Sequence, residues 1–530
     1  MAGNRFRVGN RTQQDAGESK EAGSPVEPGR ADTKALAVLC MTFFLVALDN
    51  TIINVALPTL ERSLGSSTTA LQWITDVYTT AFAGLIIVGG HLADRLGRRE
   101  VLQSGLVAFV LGSVVALFAH SSDVVIIGRL IMGTGAALAV PASLSMLIDV
   151  FPAPRQRQTA IAGWTASAGL GVALGPLVGG ALLTRYWWGS IFLANIAVAG
   201  LSLAASGLLL PKSPSHRLHS LDWLGSLLSV VALSCLVAGI IQAPNWGWGD
   251  VRTLALFAIA LVAGLLFVRR AKTAESGIVH FSVFKSRHFS LSSLAMGAIY
   301  LGIFGFLFLM TQFLQSYLGY SPLRAGVAFL PAAFAVVVGT GIARALAPRV
   351  GPRVALAAGL VLMVAAIGQE LFFTTATSYA GVAGILITGG LSMGIVLTVG
   401  TDEVMGSLAH RETGIGAAIN VAAMEVGGAL GVALFGSVFN SEYSRQLTPA
   451  AAVLPKALRH LATGSITAGL AIAQHLAGDL RSLLVLHVRS GFMDGFALAG
   501  WIGVAAAAAA ALCVVALMPS RSVALRGETE

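Results

Sequence analysis

LQWITDVYTTAFAGLIIVGGHLADRLGRREVLQSGLVAFVLGSVVALFAH, residues 71–120, is two long apolar runs joined by a short turn crowded with charge. A run of about 20 apolar residues crosses the hydrocarbon core of a bilayer as a helix, because a helix satisfies its own backbone hydrogen bonds. Runs of this kind recur from Lys34 to Met518. They are continuously apolar rather than alternating, which excludes a transmembrane β-barrel. With 55% hydrophobic and only 11% charged residues, and a mean hydropathy of +0.79, the chain is too apolar for a water-soluble globule. The expected fold class is all-α, a polytopic membrane protein.

Turn and charge clusters place fourteen spans, at 35–58, 71–93, 101–120, 123–149, 158–184, 190–211, 222–242, 252–270, 288–318, 323–348, 353–374, 378–404, 413–440 and 491–518. An even number puts both termini on one side. Most of the 34 Lys and Arg residues then fall in the tails and in loops on that side, which identifies it as cytoplasmic and the protein as a multi-pass protein of the cell membrane. Residues 1–33 are polar and lack an apolar stretch, and read as a disordered cytosolic tail rather than a cleaved signal; residues 519–530 form a second tail. Between them lie a six-helix block at 34–211, two intervening helices with their linkers at 212–287, and a second six-helix block at 288–518. Two blocks imply a pathway between them. The segment 441–490 has helical apolar spacing interrupted by Lys456, Arg459, Asp479 and Arg481. It reads as an external hairpin over the outer mouth, with a fifteenth span as the alternative.

The net charge of +9 belongs to short loops; no basic stripe with interleaved aromatics points to nucleic acid. Cys40, Cys235 and Cys513 all lie in apolar runs, where a cysteine is a small hydrophobe. The chain carries no HExxH, Walker-type loop or paired-cysteine site, which argues against an enzyme and gives no cofactor.

Four polar or glycine-rich segments interrupt this apolar background. In the turn Gly90-His91-Leu92-Ala93-Asp94-Arg95-Leu96-Gly97-Arg98-Arg99, Gly90 and Gly97 permit a tight bend and close helix approach. Asp94 can serve a neighbouring helix N-terminus, and Arg95 or Arg98 can form a charge lock. The first span holds Leu48-Asp49-Asn50-Thr51-Ile52-Ile53-Asn54 in its second half. A carboxylate at membrane depth costs about 2.5–3.5 kcal/mol, so Asp49 needs a watery cavity, a partner or a proton. Span four holds Arg129 within Arg129-Leu130-Ile131-Met132-Gly133-Thr134-Gly135-Ala136; it either meets an acid inside the bundle or snorkels to the outer face. Span five contains Gly171-Val172-Ala173-Leu174-Gly175-Pro176-Leu177-Val178-Gly179-Gly180, whose glycine spacing lets helices pack backbone to backbone, with Pro176 bending the seam.

These segments resemble, in order, motif A of the major facilitator superfamily, the first-span motif of its fourteen-helix drug:proton antiporters (QacA/EmrB-like multidrug exporters), motif B and motif C. Leu221-Asp222-Trp223-Leu224-Gly225, Gly319-Tyr320-Ser321-Pro322 and Arg411-Glu412-Thr413-Gly414 are similar to the same group. The resemblance covers about residues 35–440. It implies the major facilitator fold and export, since motif C is generally absent from symporters. It also implies proton coupling through Asp49 tuned by Arg129, and conformational gating through Gly90, Asp94, Arg95, Gly97, Arg98, Gly171, Gly175, Pro176, Gly179 and Gly180. Met132 departs from the family's glutamine, and Met424-Glu425 stands where many relatives have Arg-Gln; Glu425 is a third candidate for proton coupling.

The substrate candidates are Asp76 with Trp73 and Tyr78, Gln312 and Gln315 in span nine, and Asp402 and Glu403 ending span twelve, the last two also readable as an interfacial solvated pair. Glu370 is a further acid near the outer end of span eleven. Carboxylates at membrane depth favour cations. The expected function is therefore proton-driven efflux of amphipathic, cationic compounds by alternating access, from a monomer whose other partners are protons and lipid. The alternatives are export of an endogenous metabolite such as an antibiotic, siderophore, lipid or amino acid, and a membrane sensor without transport.

Overall fold

In the computed structural model, residues 30–212, 222–273, 286–374, 377–407 and 413–519 are described. Most of both expected tails, the linkers at 213–221 and 274–285, and Arg411-Glu412 lie outside them. Seventeen helices follow in order: α1 (Arg30–Leu64), α2 (Thr68–Leu96), α3 (Arg98–Leu117), α4 (Ser122–Val150), α5 (Pro154–Arg185), α6 (Ser190–Leu209), α7 (Trp223–Trp246), α8 (Val251–Thr273), α9 (Arg287–Gln312), α10 (Pro322–Ala328), α11 (Leu330–Val350), α12 (Pro352–Glu370), α13 (Tyr379–Gly406), α14 (Thr413–Ala451), α15 (Lys456–Gly464), α16 (Ile466–Gln474) and α17 (Gly478–Leu517). Fourteen stretches are long and apolar enough to cross a membrane, with α10 and α11 forming one of them. No strand occurs among the described residues.

Punctuation in the sequence sets the ends. Ser67 caps α2 by accepting from the Ala70 N–H at 3.3 Å, and Gly97, at φ +108°, turns the chain from α2 into α3. Asp222 caps α7 through the Gly225 N–H at 2.9 Å and also accepts from Arg270 Nε of α8 at 2.6 Å, so one carboxylate starts a span and pins its partner. In Gly319-Tyr320-Ser321-Pro322, Gly319 has φ +71°, Ser321 caps α10 and Pro322 opens it.

α1 to α6 pack as one bundle, with α1 on α5 and α4 on α2 and α3; α9, α11 to α14 and α17 pack as a second, with α9 on α14 and α11 on α13. The chain crosses back and forth, so the start of α1, the α2–α3 turn and the end of α17 share one end of the molecule, the tail end. The α1–α2 turn, α15 and α16 share the other, the hairpin end. The structure shifts several expected boundaries. The first helix begins at Arg30, inside the expected tail, and α14 and α17 extend well into 441–490. What remains there is a pair of nine-residue helices, α15 and α16, too short to cross a membrane, broken at Pro455 and at Gly464-Ser465.

Candidate functional site

Asp49 and Arg129 are both fully buried, 0% exposed, and form an ion pair. Asn195 Nδ2 of α6 donates to the second Asp49 oxygen at 2.6 Å, while Arg129 Nε donates to the Ile74 carbonyl of α2 at 3.0 Å. The guanidinium also lies 4.1 Å above the Tyr78 ring, a cation–π contact that stabilises a desolvated charge. Arg129 therefore turns into the bundle rather than snorkelling outward. From the second bundle, Glu425 of α14 accepts a hydrogen bond from Asn50 and lies within electrostatic reach of Arg129, with Tyr300 of α9 nearby. The three proton-coupling candidates thus form one buried group, two acids and one base, drawn from both halves.

Glycines close the space around it. In α4, Gly133 packs on the Tyr78 backbone and Gly135 on Gly105 and Phe109 of α3. Along α5, Gly171, Gly175 and Gly179 pack against α1 at Phe44, Leu48 and Ile52, while Gly180 and the Pro176 carbonyl meet Pro322 and Gly326 of α10. In the α2–α3 turn the charge lock falls to Arg98. Arg98 pairs with Asp94, at 3.3 Å, and with Asp149 of α4, and donates to the Ser145 carbonyl at 2.9 Å. This lock ties α2, α3 and α4 together within the first bundle. The close helix approach falls on Gly89, against Ala137, rather than on Gly90. Arg95 is exposed.

A cavity of about 1230 Å³ is lined by α5, α9, α11, α12 and α13 and reaches α1 at Thr51, two residues from Asp49. Its wall is mostly apolar; Thr51, Thr165, Thr340, Thr398 and Thr401 supply hydroxyls, and Arg157, Arg344 and Asp402 are its charged residues. It runs from Asp402 and Gly406 near the tail end to Pro176 and Phe329 deep in the molecule. A narrow crevice bordered by Trp164, Asn420 and Met424 shares Ile161, Thr165, Thr401 and Met405 with its wall.

The remaining substrate candidates are dispersed. Asp402 lines the cavity, but Glu403 pairs with His288 at 2.9 Å. Gln315 donates to the Val55 carbonyl of α1 at 2.8 Å and Gln312 to Phe308 of its own helix at 3.3 Å, both near the closed hairpin end. Trp73 packs on the α7–α14 cluster and Tyr78 serves Arg129. Asp76 is fully buried in α2, with neither carboxylate oxygen hydrogen-bonded. Three residues of weight were missed by the sequence reading. Asn195 was findable as the single amide in an otherwise apolar span. Arg344 was visible as a charge inside a span, though without a role. Glu61, buried at the hairpin end of α1 and bonded to Ser465 and Thr467, carried no local signal.

Comparison with known proteins agrees with this architecture. "Multidrug efflux pump LfrA" of Mycolicibacterium smegmatis is 32% identical over 464 residues, covering 87% of this chain and 92% of that protein. The "Tetracenomycin C resistance and export protein" of Streptomyces glaucescens is 30% identical, covering 90% of each. The "Puromycin resistance protein pur8" of Streptomyces alboniger is 36% identical over 415 residues, 76% of this chain and 81% of that one. Among solved structures, a bacterial homolog of the human lysosomal transporter Spinster superposes with a TM-score of 0.66 at 16% identity, covering 94% of this chain and 98% of that one. A D-xylose-proton symporter gives 0.59, also at 16%, covering 92% and 98%. The family model described as Major Facilitator Superfamily matches residues 39–432. The chain is a multi-pass membrane protein of the major facilitator superfamily, a family of transporters rather than enzymes.

Proposed function

We propose that this protein is a proton-coupled exporter of the cytoplasmic membrane that exchanges external protons for amphipathic compounds, works as a monomer and is driven by the proton-motive force alone. The tail end is cytoplasmic in this reading, as the distribution of Lys and Arg favours. One observation carries it: the buried carboxylate of Asp49 is paired with the buried guanidinium of Arg129, and a second buried carboxylate, Glu425 of the opposite bundle, lies within electrostatic reach of the same guanidinium. Protonation of Asp49 removes the direct partner of Arg129 and leaves Glu425 as the next acid within reach. A buried charge demands a counter-charge, so moving one proton re-weights the contact between the halves, which is what rocking requires. The relatives whose names report efflux, resistance or export support the direction of transport.

The test is transport in liposomes under an imposed proton gradient, with ethidium and puromycin as cargo, comparing wild type with Asp49→Asn and Glu425→Gln. Gradient-driven transport is expected to vanish in Asp49→Asn and to fall in Glu425→Gln, with both variants monodisperse. Undiminished coupling in Asp49→Asn removes Asp49 from the mechanism. Wild type that moves neither compound, while folded, moves the reading to a narrow endogenous cargo.

A further inference from the structure

Five threonines line the cavity, and their hydroxyls are not used alike. Thr51 donates to the Ala47 and Leu48 carbonyls at 3.3 and 3.2 Å, and Thr398 to the Gly394 carbonyl at 2.7 Å and the Thr340 hydroxyl at 3.3 Å. A threonine inside a span ordinarily spends its hydroxyl on the turn before it. Thr165 of α5 and Thr401 of α13 have no hydrogen-bond partner among the described residues. Both also border the crevice, a space of about 50 Å³, where a third unmet group lies. Asn420 of α14 is 4% exposed; its Oδ1 is bonded to nothing and its Nδ2 is held by nothing stronger than the Met424 sulfur at 3.8 Å. α14 supplies no residue to the wall of the main cavity but three to the crevice, Asn420, Val421 and Met424.

The rest of the crevice is apolar and firmly set. Trp164 stacks on Phe43 with ring centroids 3.9 Å apart and planes 16° from parallel, and its indole N–H is spent on Ser143 at 3.1 Å. Among the described residues no charged one borders it; Arg157, Arg344 and Asp402 belong to the main cavity alone. A buried amide oxygen and two free hydroxyls demand partners, and no counter-charge is at hand to hold an ion. The space has room for a few water molecules, or for an arm of about four heavy atoms that displaces them. We propose that this crevice is a side pocket of the cargo cavity that seats an uncharged, hydrogen-bonding arm, a hydroxyl or carboxamide, of an amphipathic compound. The arm donates to Asn420 Oδ1 and bonds to Thr165 and Thr401, while the apolar body stays in the main cavity. An ether or ester arm cannot donate and leaves Asn420 unmet. The pocket is built from α1, α4 and α5 of one bundle and α13 and α14 of the other, so rocking takes it apart and frees the arm. It deepens the export reading and rests on it for the passage of cargo, not for its binding.

Doxorubicin and daunorubicin test it, because they share one planar body and one amine and differ only in a short arm, hydroxyacetyl against acetyl. The change in their own fluorescence on binding to the purified protein in detergent gives a Kd for each without any transport. Wild type is expected to bind doxorubicin about three- to tenfold more tightly. Thr165→Val, Thr401→Val and Asn420→Leu keep the side-chain shape and remove a polar atom. Each is expected to erase most of the preference by weakening doxorubicin and leaving daunorubicin unchanged; the retained daunorubicin binding shows that the variant folds. Equal Kd values for the two drugs in wild type, binding of neither, or equal weakening of both in the variants overturns the proposal. The same pair in the liposome assay separates the two readings: selective binding without gradient-driven transport keeps the pocket and removes export.

Discussion

Arg129 is the residue on which most depends, because it satisfies a carboxylate, a backbone carbonyl and an aromatic face at once. Lysine has the charge but not the planar fork, so Arg129→Lys is expected to abolish coupled transport even where the protein folds. Removing one member of a buried pair strands the other, at about 3–5 kcal/mol, whereas replacing both is often close to neutral. The single variant Asp49→Asn should therefore melt well below wild type, and the double variant Asp49→Asn with Arg129→Gln should regain most of that loss while remaining inactive. A thermal unfolding series in detergent, paired with the liposome assay, checks both halves. A double variant no more stable than the single would mean that the pair is not an isolated electrostatic unit. The sequence made Asp49 and Arg129 conspicuous, since charge at membrane depth is costly wherever it occurs. It could not show Asn195 completing the site, because that contact joins residues 146 positions apart, and an amide that stands out in an apolar span does not name its partner.

Among the elements, the α1–α5 pair shows the clearest match of sequence to packing. Gly175 sits where an added Cβ would lie 3.0 Å from the Ile52 nitrogen and the Leu48 carbonyl oxygen, with Thr51 closer still. Gly175→Val is thus expected to lower stability by about 1–3 kcal/mol through overpacking. Gly169→Ala, facing open space in the same helix, should be neutral or stabilising by up to about 1 kcal/mol, since glycine is unfavourable inside a helix. Thermal shifts that fail to separate the two would contradict this packing. Spans are the most legible part of the fold because every crossing repeats the same requirement for a long apolar helix. The hairpin end is less so: α15 and α16 are nine residues each, and their place is fixed by tertiary bonds from Tyr443 to the Ala462 carbonyl, at 3.1 Å, and from Thr68 to the Gly464 carbonyl, at 3.0 Å. The cavity was the least visible of all, because an apolar helix face looks the same in sequence whether it meets lipid or a binding space. Gln312 and Gln315, substrate candidates for their amides, bond the Phe308 and Val55 carbonyls.

For the whole molecule, alternating access requires the hairpin end to open as the tail end closes, and the bonds that hold the hairpin end shut set the balance. Glu61 of the first bundle accepts hydrogen bonds from Ser465 and, at 2.8 Å, from Thr467, and the Thr467 hydroxyl lies 3.2 Å from that of Ser316 in the π-helical turn Phe313–Tyr317 that follows α9. The α15–α16 pair, itself held to α14 by Tyr443, therefore bridges the two halves through one buried carboxylate. Hydrogen bonds to a charged group contribute about 1.5–3 kcal/mol each. Losing two of them, against the release of a buried charge, should shift the equilibrium between the two facing states by roughly tenfold or more. Glu61→Ala is expected to enlarge the population in which the hairpin end is open. Spin labels at Arg185 and Phe372, one on each bundle at that end, would report it as a second, longer distance that grows at the expense of the first. Because transport needs both states, the same variant should slow turnover if wild type already spends half its time open, and speed it if opening is the slow step. An unchanged distance distribution would show that the Pro322–Gly180 contact between α10 and α5, not Glu61, keeps this end closed.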